Sequence, residues 1–192
     1  MHDTQSIELI DDMVVAGAVR AAIFAALMGA FAYVTFPYPL SPAPVTLQVL
    51  AVFLAGILLG PRWGATAMIL YLLAGTLGAP IFAGGTAGIG VLLGPHVGFL
   101  LSFPIAAFVI GAITHRGTTV TDYRRRSTTW LTGAMGAGVV VIYSFGVIGM
   151  MLRLSLSPVE AIMVGAIVFI PAELLKMAAA IGILRSDRLA VE

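Results

Sequence analysis

The chain has 192 residues, of which 60% are hydrophobic and 10% are charged, and its formal net charge is +1. Its mean hydropathy is +1.06. Because a soluble domain carries about 25% charged residues, this composition predicts an integral membrane protein. The absence of cysteine excludes disulfides, thiolate metal sites and a cysteine nucleophile.

The apolar stretches predict an all-α protein with six transmembrane helices. A helix needs about 20 residues to cross a hydrocarbon core of ~30 Å, and most stretches approach that length. They cover residues 17–36, 45–59, 63–78, 95–114, 128–151 and 159–184. We expect a single transmembrane domain over residues 17–186, with a short N-terminal segment over 1–16 and a tail over 187–192. The N-terminal segment is acidic, unlike the positive start of a secretory signal.

The last apolar stretch is too long for one straight helix. We expect a short helix over residues 157–170, followed by the crossing itself over residues 171–186. A single helix kinked at Pro171 is the alternative, because proline has no N–H to donate. Both arrangements give six crossings.

The arginines predict the orientation. Six crossings place both termini on one side, which would then hold eight arginines, against Arg153 alone on the other side. Arginine-rich loops remain in the cytoplasm, so both termini are expected there, in a multi-pass protein of the plasma membrane. The eight are Arg20, Arg62, Arg116, Arg124, Arg125, Arg126, Arg185 and Arg188.

A carboxylate and an ammonium stand three residues apart inside the last stretch. Glu173 and Lys176 lie one helical turn from each other and share a face. Each charge costs about 2.5–3.5 kcal/mol at a bilayer centre, so the pair indicates either a functional site or an ion pair that joins two helices. Lys176 lies nine residues before Arg185, which is about 13 Å along a helix. That depth favours a ligand pocket open to the outside.

Several other residues are candidates for contact with a ligand, each with a structural alternative. Gln48 is a buried amide that needs a partner, either a neighbouring helix or a ligand. His96 either contacts a ligand or lies among the lipid headgroups. In the link over residues 79–94, Gly84 and Gly85 either let the backbone approach a ligand or belong to an ordinary loop. Tyr71 and Phe82 supply apolar walls or simple packing.

The first helix carries two rows of small residues. Spacing by four keeps each row on one face, and small faces let membrane helices approach closely. The rows predict either a docking face for another protein or packing within the molecule. The alanine row is Ala18, Ala22, Ala26 and Ala30, and the glycine-alanine row beside it is Gly17, Ala21, Ala25 and Gly29.

No motif indicates an enzyme. The chain has no Walker-type phosphate loop, no Gly-x-Ser-x-Gly or His-Glu-x-x-His sequence, and no cluster with metal-ligand spacing. We therefore expect no cofactor, no metal, no catalytic residue and no nucleic-acid partner. Uphill movement of a solute would need energy from another protein.

Five motifs stand in the order seen in the BioY family, the biotin-binding S components of energy-coupling factor (ECF) transporters. The resemblance implies the S-component fold with six membrane helices, biotin as the transported substrate, and as partners a transmembrane T component with two ATPase subunits that use ATP. It also implies that the alanine row docks on the T component. The motifs are Pro44–Gln48, Leu59–Gly64, Pro80–Gly85, Leu93–Phe99 and Pro171–Lys176.

The chemistry of biotin suits these residues. Lys176 is expected to bind the valerate carboxylate, and Glu173 to accept from the ureido N–H groups, aided by Gln48 and the glycine-rich link. Two positions depart from the family: Glu173 replaces the usual Asp, and His96 replaces the common Thr or Arg. The alternatives are an S component for another vitamin, or a structural membrane protein in which the Glu-Lys pair only joins helices. A cationic vitamin such as thiamine would be disfavoured by Lys176.

Overall fold

The computed structural model describes residues 12–186. The predictions for most of the N-terminal segment and for the tail over residues 187–192 lie outside the described residues. The described part is almost entirely helical, with one short antiparallel strand pair. Its elements are α1 (Asp12–Tyr33), β1 (Thr35–Phe36), β2 (Val45–Thr46), α2 (Gln48–Thr76), α3 (Val97–His115), α4 (Thr128–Leu154), α5 (Pro158–Gly165) and α6 (Ile170–Arg185).

The first helix is shifted toward the N-terminus relative to the prediction. It begins at Asp12, whose carboxylate favours the helix start, and it ends at Tyr33. Residues 34–36 were predicted to be helical and are not, because Thr35–Phe36 pairs with Val45–Thr46. The sequence contains a reason for this: β-branched residues precede Pro37, and a residue before proline disfavours the α conformation. This strand pair closes the proline-rich loop between α1 and α2.

The second helix is folded back on itself at Gly60. Gly60 has φ 78° and ψ 179°, which no helix contains. The side chains of Gln48 and Tyr71 are hydrogen-bonded at 2.8 Å, whereas 23 residues of straight helix would separate them by about 35 Å. The arms over residues 48–59 and 61–76 are therefore antiparallel. Pro61 opens the second arm, a position where its missing N–H costs nothing.

The α2 hairpin is the centre of the molecule. In its most apolar 18-residue window 72% of the residues are buried, against 22% for α1. Gly64 makes the close approach of the two arms possible, because a Cβ there would lie 2.9 Å from the carbonyl oxygen of Ala55. α3 packs along the first arm in the same way at Gly56 and Gly111. Small residues thus let the central helices touch backbone to backbone.

α3 and α4 confirm the predicted apolar stretches over residues 95–114 and 128–151 to within a few residues. α4 begins after Ser127, whose side chain accepts from the backbone N–H of Trp130 at 3.2 Å. At the opposite end of the pair, a Cβ on Gly98 of α3 would overlap the carbonyl oxygen of Phe145 in α4. This contact holds the start of α3 against the middle of α4.

The last apolar stretch is broken, as the first of the two alternatives predicted, but the break lies at Ala166 rather than at Pro171. Ala166 has φ −137° and ψ −61° and separates α5 from a short 3-10 segment, Ile167–Phe169. Pro171 lies in the first turn of α6, where a proline is well tolerated. α5 begins with a capping box between Ser157 and Glu160.

Five helices of the described part are long and apolar enough to cross a membrane, one fewer than the six predicted. The difference arises from α2, which counts as one helix of 29 residues although its two arms run in opposite directions. The five are Asp12–Tyr33, Gln48–Thr76, Val97–His115, Thr128–Leu154 and Pro158–Arg185.

The two rows of small residues on α1 face different surroundings. In the glycine-alanine row, Gly17, Ala21 and Gly29 are buried. A Cβ on Gly17 would collide with the ring of Trp63 on the second arm of α2. All four members of the alanine row are exposed. The first row therefore packs within the molecule, and the second faces outward.

Candidate substrate-binding site

A cavity of about 300 Å³ lies at the end of the molecule where the proline-rich and glycine-rich links meet. Its wall is mostly apolar, with a few polar groups, which is the composition of a small-molecule site. Five predicted site residues line it, namely Gln48, Phe82, His96, Glu173 and Lys176. Further wall residues come from the segment before α2 and its first turn, from the glycine-rich link, from α3, from α4 and from the segment before α6: Ala43, Pro44, Val45, Thr46, Val49, Ala83, Thr86, Val91, Phe99, Leu100, Phe103, Ile142, Tyr143 and Phe169.

The buried ion pair lies in the first two turns of α6. The Nζ atom of Lys176 is 2.7 Å from Oε1 of Glu173, and the two side chains are only 7% and 3% exposed. The structural alternative required the pair to join two helices. Both residues belong to one helix, so the pair does not do this. The contact between helices comes instead from Tyr143 of α4, whose hydroxyl donates to the same Oε1 at 2.8 Å.

The pair retains unused hydrogen-bonding capacity. The other oxygen of Glu173, Oε2, is buried and has no partner among residues 12–186. Lys176 has three N–H groups, and one of them is directed to Glu173. A buried acceptor and a buried cation on a cavity wall can together bind a ligand that carries both an N–H group and a negative charge.

Aromatic rings form the wall beside the ion pair. Tyr143 is stacked on Phe169, with ring centroids 5.9 Å apart and planes inclined by 26°. Phe99 meets Tyr143 edge-on at 5.8 Å. Tyr38, in the proline-rich loop, packs on the other side of Phe169 and donates to the carbonyl of Val168. These contacts connect the proline-rich loop to the wall of the cavity.

Gln48 and Tyr71 form a polar contact inside the α2 hairpin. The Nε2 atom of Gln48 donates to the Tyr71 hydroxyl at 2.8 Å, and its Oε1 accepts from Thr46 at 3.0 Å. Gln48 therefore has a structural partner and also lines the cavity. Tyr71 is fully buried behind Gln48 and is not a wall residue. Phe82 covers the Tyr71 ring edge-on at 5.4 Å.

The two glycines of the link lie outside the cavity wall. Gly84 and Gly85 have φ of 68° and 77°, a region that favours glycine, and they form the tight turn that follows Phe82. Gly85 packs against the ring of Tyr33, whose hydroxyl donates to the carbonyl of Pro80. The glycines thus shape the link, while Phe82 and its neighbour Thr86 reach the cavity.

His96, which follows the glycine-rich link, contacts the proline-rich loop. Its Nε2 atom lies 3.2 Å from the carbonyl oxygen of Pro42, an acceptor, so this nitrogen carries the proton. Burial lowers the pKa of His96 below its ordinary value, and the bond to Pro42 only partly opposes this. A neutral imidazole therefore forms part of the wall.

Sequence reasoning missed the roles of Tyr143, Phe169 and Thr46. Nothing local in the sequence indicates that the Tyr143 hydroxyl meets a carboxylate 30 residues away. In the described range, no three His, Cys, Asp or Glu side chains are grouped so as to hold a metal ion.

A bundle of apolar helices that encloses a partly polar cavity defines a ligand-binding integral membrane protein. The fold is that of a solved structure described as the S-component for biotin from an ECF-type ABC transporter, with a TM-score of 0.77, 23% identity, and coverage of 92% of this chain and 93% of that one. The BioY family model matches residues 3–192, and the chain belongs to the BioY family.

Relatives from bacteria and an archaeon align over most of their length. The biotin transporter BioY of Thermotoga maritima is 36% identical, with coverage of 91% of this chain and 97% of the relative. The probable biotin transporter BioY of Pyrococcus horikoshii is also 36% identical, over 83% and 88% of the two chains. The biotin transporter BioY of Rhizobium etli is 33% identical, over 82% and 85%.

Proposed function

We propose that this protein captures biotin from outside the cell as the membrane-embedded S subunit of an ECF-type transporter. The observation that carries the proposal is the buried Glu173–Lys176 pair on the wall of an otherwise apolar cavity. Membership of the BioY family and relatives described as biotin transporters give the identity of the ligand. The protein works by binding, and no covalent chemistry is required.

Biotin offers one chemical group for each part of the site. The ammonium of Lys176, the only lysine of the chain, binds the valerate carboxylate. Because Nζ of Lys176 lies 2.7 Å from the Glu173 carboxylate, the flexible valerate chain is folded back toward the ureido ring in this arrangement. Oε2 of Glu173 accepts from a ureido N–H, and Gln48 and His96 contribute the remaining polar edge of the wall. The bicyclic thioether lies against the aromatic rings of Tyr143 and Phe99. Gly84, Gly85 and Tyr71 support this wall from behind.

The chain crosses the membrane six times on this proposal. The antiparallel arms of α2 count as two crossings, although at 12 and 16 residues they span only about 18 and 24 Å. Short arms fit a locally thinned bilayer or an arrangement in which the outer links complete the crossing. Both termini then lie in the cytoplasm of the cell that carries the protein in its plasma membrane. The cavity opens to the outside.

The partner module comprises a transmembrane T component and two ATPase subunits. The alanine row supports a docking face, because Ala18, Ala22, Ala26 and Ala30 are all exposed along one side of α1. The loaded protein docks there and reorients in the membrane, and ATP hydrolysis by the partner drives release of biotin inward.

Equilibrium binding tests the proposed ligand directly. The purified full chain in detergent is titrated with biotin, and with thiamine and riboflavin as controls. We expect saturable binding of biotin alone, because the cationic thiamine would face Lys176 and the uncharged ring system of riboflavin would offer that cation no carboxylate. Preferential binding of another vitamin would identify a different S component.

Uptake of labelled biotin by cells tests the partner. Cells that carry the protein with a functional ATPase module are compared with cells in which the ATPases are inactive. We expect accumulation only in the first case. Equal accumulation in both would show a self-sufficient carrier.

A further inference from the structure

The two oxygens of the Glu173 carboxylate are used unequally. Oε1 accepts from both Lys176, at 2.7 Å, and Tyr143, at 2.8 Å. Oε2 is buried and accepts from nothing in the described part of the chain. A buried acceptor without a donor is costly, so this oxygen is the atom of the site that gains most from a donor on the ligand.

Tyr143 is the group that fixes this inequality. Lys176 stands on the same helix as Glu173, whereas Tyr143 reaches the carboxylate from α4, so its bond sets the carboxylate relative to the rest of the wall. The Tyr143 ring is itself held between Phe169 and Phe99. The terminal torsion of a glutamate is broad, so without the hydroxyl the carboxylate could rotate on Lys176.

We propose that Tyr143 is a positioning residue for ligand selection, because its hydroxyl holds Oε1 of Glu173 and thereby reserves Oε2 for an N–H group of the ligand. The inference rests on the proposed function, in which a ureido N–H of biotin is that donor. The site then rejects a molecule of the same shape that presents oxygen in place of N–H, because two acceptors would face each other.

The test compares two ligands on the purified full chain by isothermal titration calorimetry. The ligands are biotin and its cyclic carbonate analogue, in which oxygen replaces both ureido N–H groups. Tyr143→Phe keeps the ring and removes the hydroxyl. We expect the wild type to bind biotin about 100-fold or more tightly than the analogue. Tyr143→Phe should weaken biotin binding and so reduce this preference by about 10-fold, which is the effect expected when a hydrogen bond to a charged group is lost. Affinity for the analogue should change little.

Tyr38→Phe is the matched control. Tyr38 packs on Phe169, as Tyr143 does, but it does not line the cavity, and its hydroxyl donates to the backbone carbonyl of Val168 at 3.1 Å. This variant should keep the preference for biotin. In a Glu173→Gln background, Tyr143→Phe should no longer alter the preference, since the two residues act through one bond. Thermal unfolding of each variant shows whether it is folded.

The outcomes separate the two claims. If Tyr143→Phe lowers both affinities equally, or leaves the preference intact, Tyr143 has only a packing role and the inference is overturned while biotin binding stands. Failure of the wild type to bind biotin overturns the proposed function and the inference with it, at the first titration.

Discussion

At the scale of single residues, the most informative group is the ammonium of Lys176. It is buried, and the carboxylate bonded to it is buried as well. We predict that Lys176→Ala weakens biotin binding by about 2–5 kcal/mol, because the ligand carboxylate then enters a dry site without a cation. Titration calorimetry of the purified protein measures the effect.

Arg125→Ala provides the control for a lost cation. Its ion pair with Asp122 spans 3.5 Å between side chains that are 85% and 50% exposed. Such a pair contributes about 0–1 kcal/mol, so both biotin affinity and stability should stay close to those of the parent. If Lys176→Ala leaves biotin binding unchanged, the buried pair has only a structural role.

His96 predicts a pH dependence of stability. Burial lowers its pKa below the ordinary value of 6.5, so near and below that pH the unfolded chain binds more protons than the folded one. The linkage relation then requires stability to fall as pH decreases through about 6.5. We expect the melting temperature of His96→Gln to depend less on pH than that of the parent between about pH 5 and 7. Identical pH profiles would contradict a buried, neutral imidazole.

At the scale of helices, the contact of α3 with α4 depends on Gly98. A Cβ there would overlap the carbonyl oxygen of Phe145, which is backbone and cannot move aside alone. We predict that Gly98→Ala lowers the free energy of unfolding by about 1–3 kcal/mol or more, as for an overpacked core. It should also weaken biotin binding, since neighbouring Phe99 supports Tyr143. Thermal unfolding in detergent measures the stability change.

Gly133→Ala is the matched change on the same helix pair. Gly133 lies inside α4 with nothing within 4 Å of its ideal Cβ. Alanine there should be neutral or stabilise by about 0.5–1 kcal/mol, because it favours the helix more than glycine does. Equal destabilisation by both substitutions would mean that the loss at Gly98 is not due to the close contact.

At the scale of the whole molecule, the proposed orientation decides which end of α3 faces the outside of the cell. The chain has no cysteine, so single cysteines report topology without background. Ala87 in the glycine-rich link and Thr119 in the loop between α3 and α4 are both exposed. With six crossings, we predict that a membrane-impermeant maleimide labels Ala87→Cys in intact cells and labels Thr119→Cys only after lysis. The reverse pattern would invert the proposed orientation.

The sequence predicted most elements because their signals are local. The predicted stretches over residues 45–59 and 63–78 are separated by Gly60 and Pro61, and the structure confirms a break in that place. Two details of the prediction were wrong, for different reasons. Thr35–Phe36 left the helix to pair with Val45–Thr46. The break in the last apolar stretch was predicted at Pro171 and lies at Ala166, because a proline in the first turn of a helix does not disturb that helix.

The sequence by itself determined that this is a helical membrane protein with one buried ion pair, because hydropathy and an i, i+3 spacing are properties of a single segment. Only the tertiary structure decided which row of small residues on α1 faces inward, that Gly84 and Gly85 shape a link rather than line the cavity, and that Tyr143 meets Glu173. The physical reason is that such contacts depend on how separate helices cross, and residues distant in the chain share no local pattern that records it.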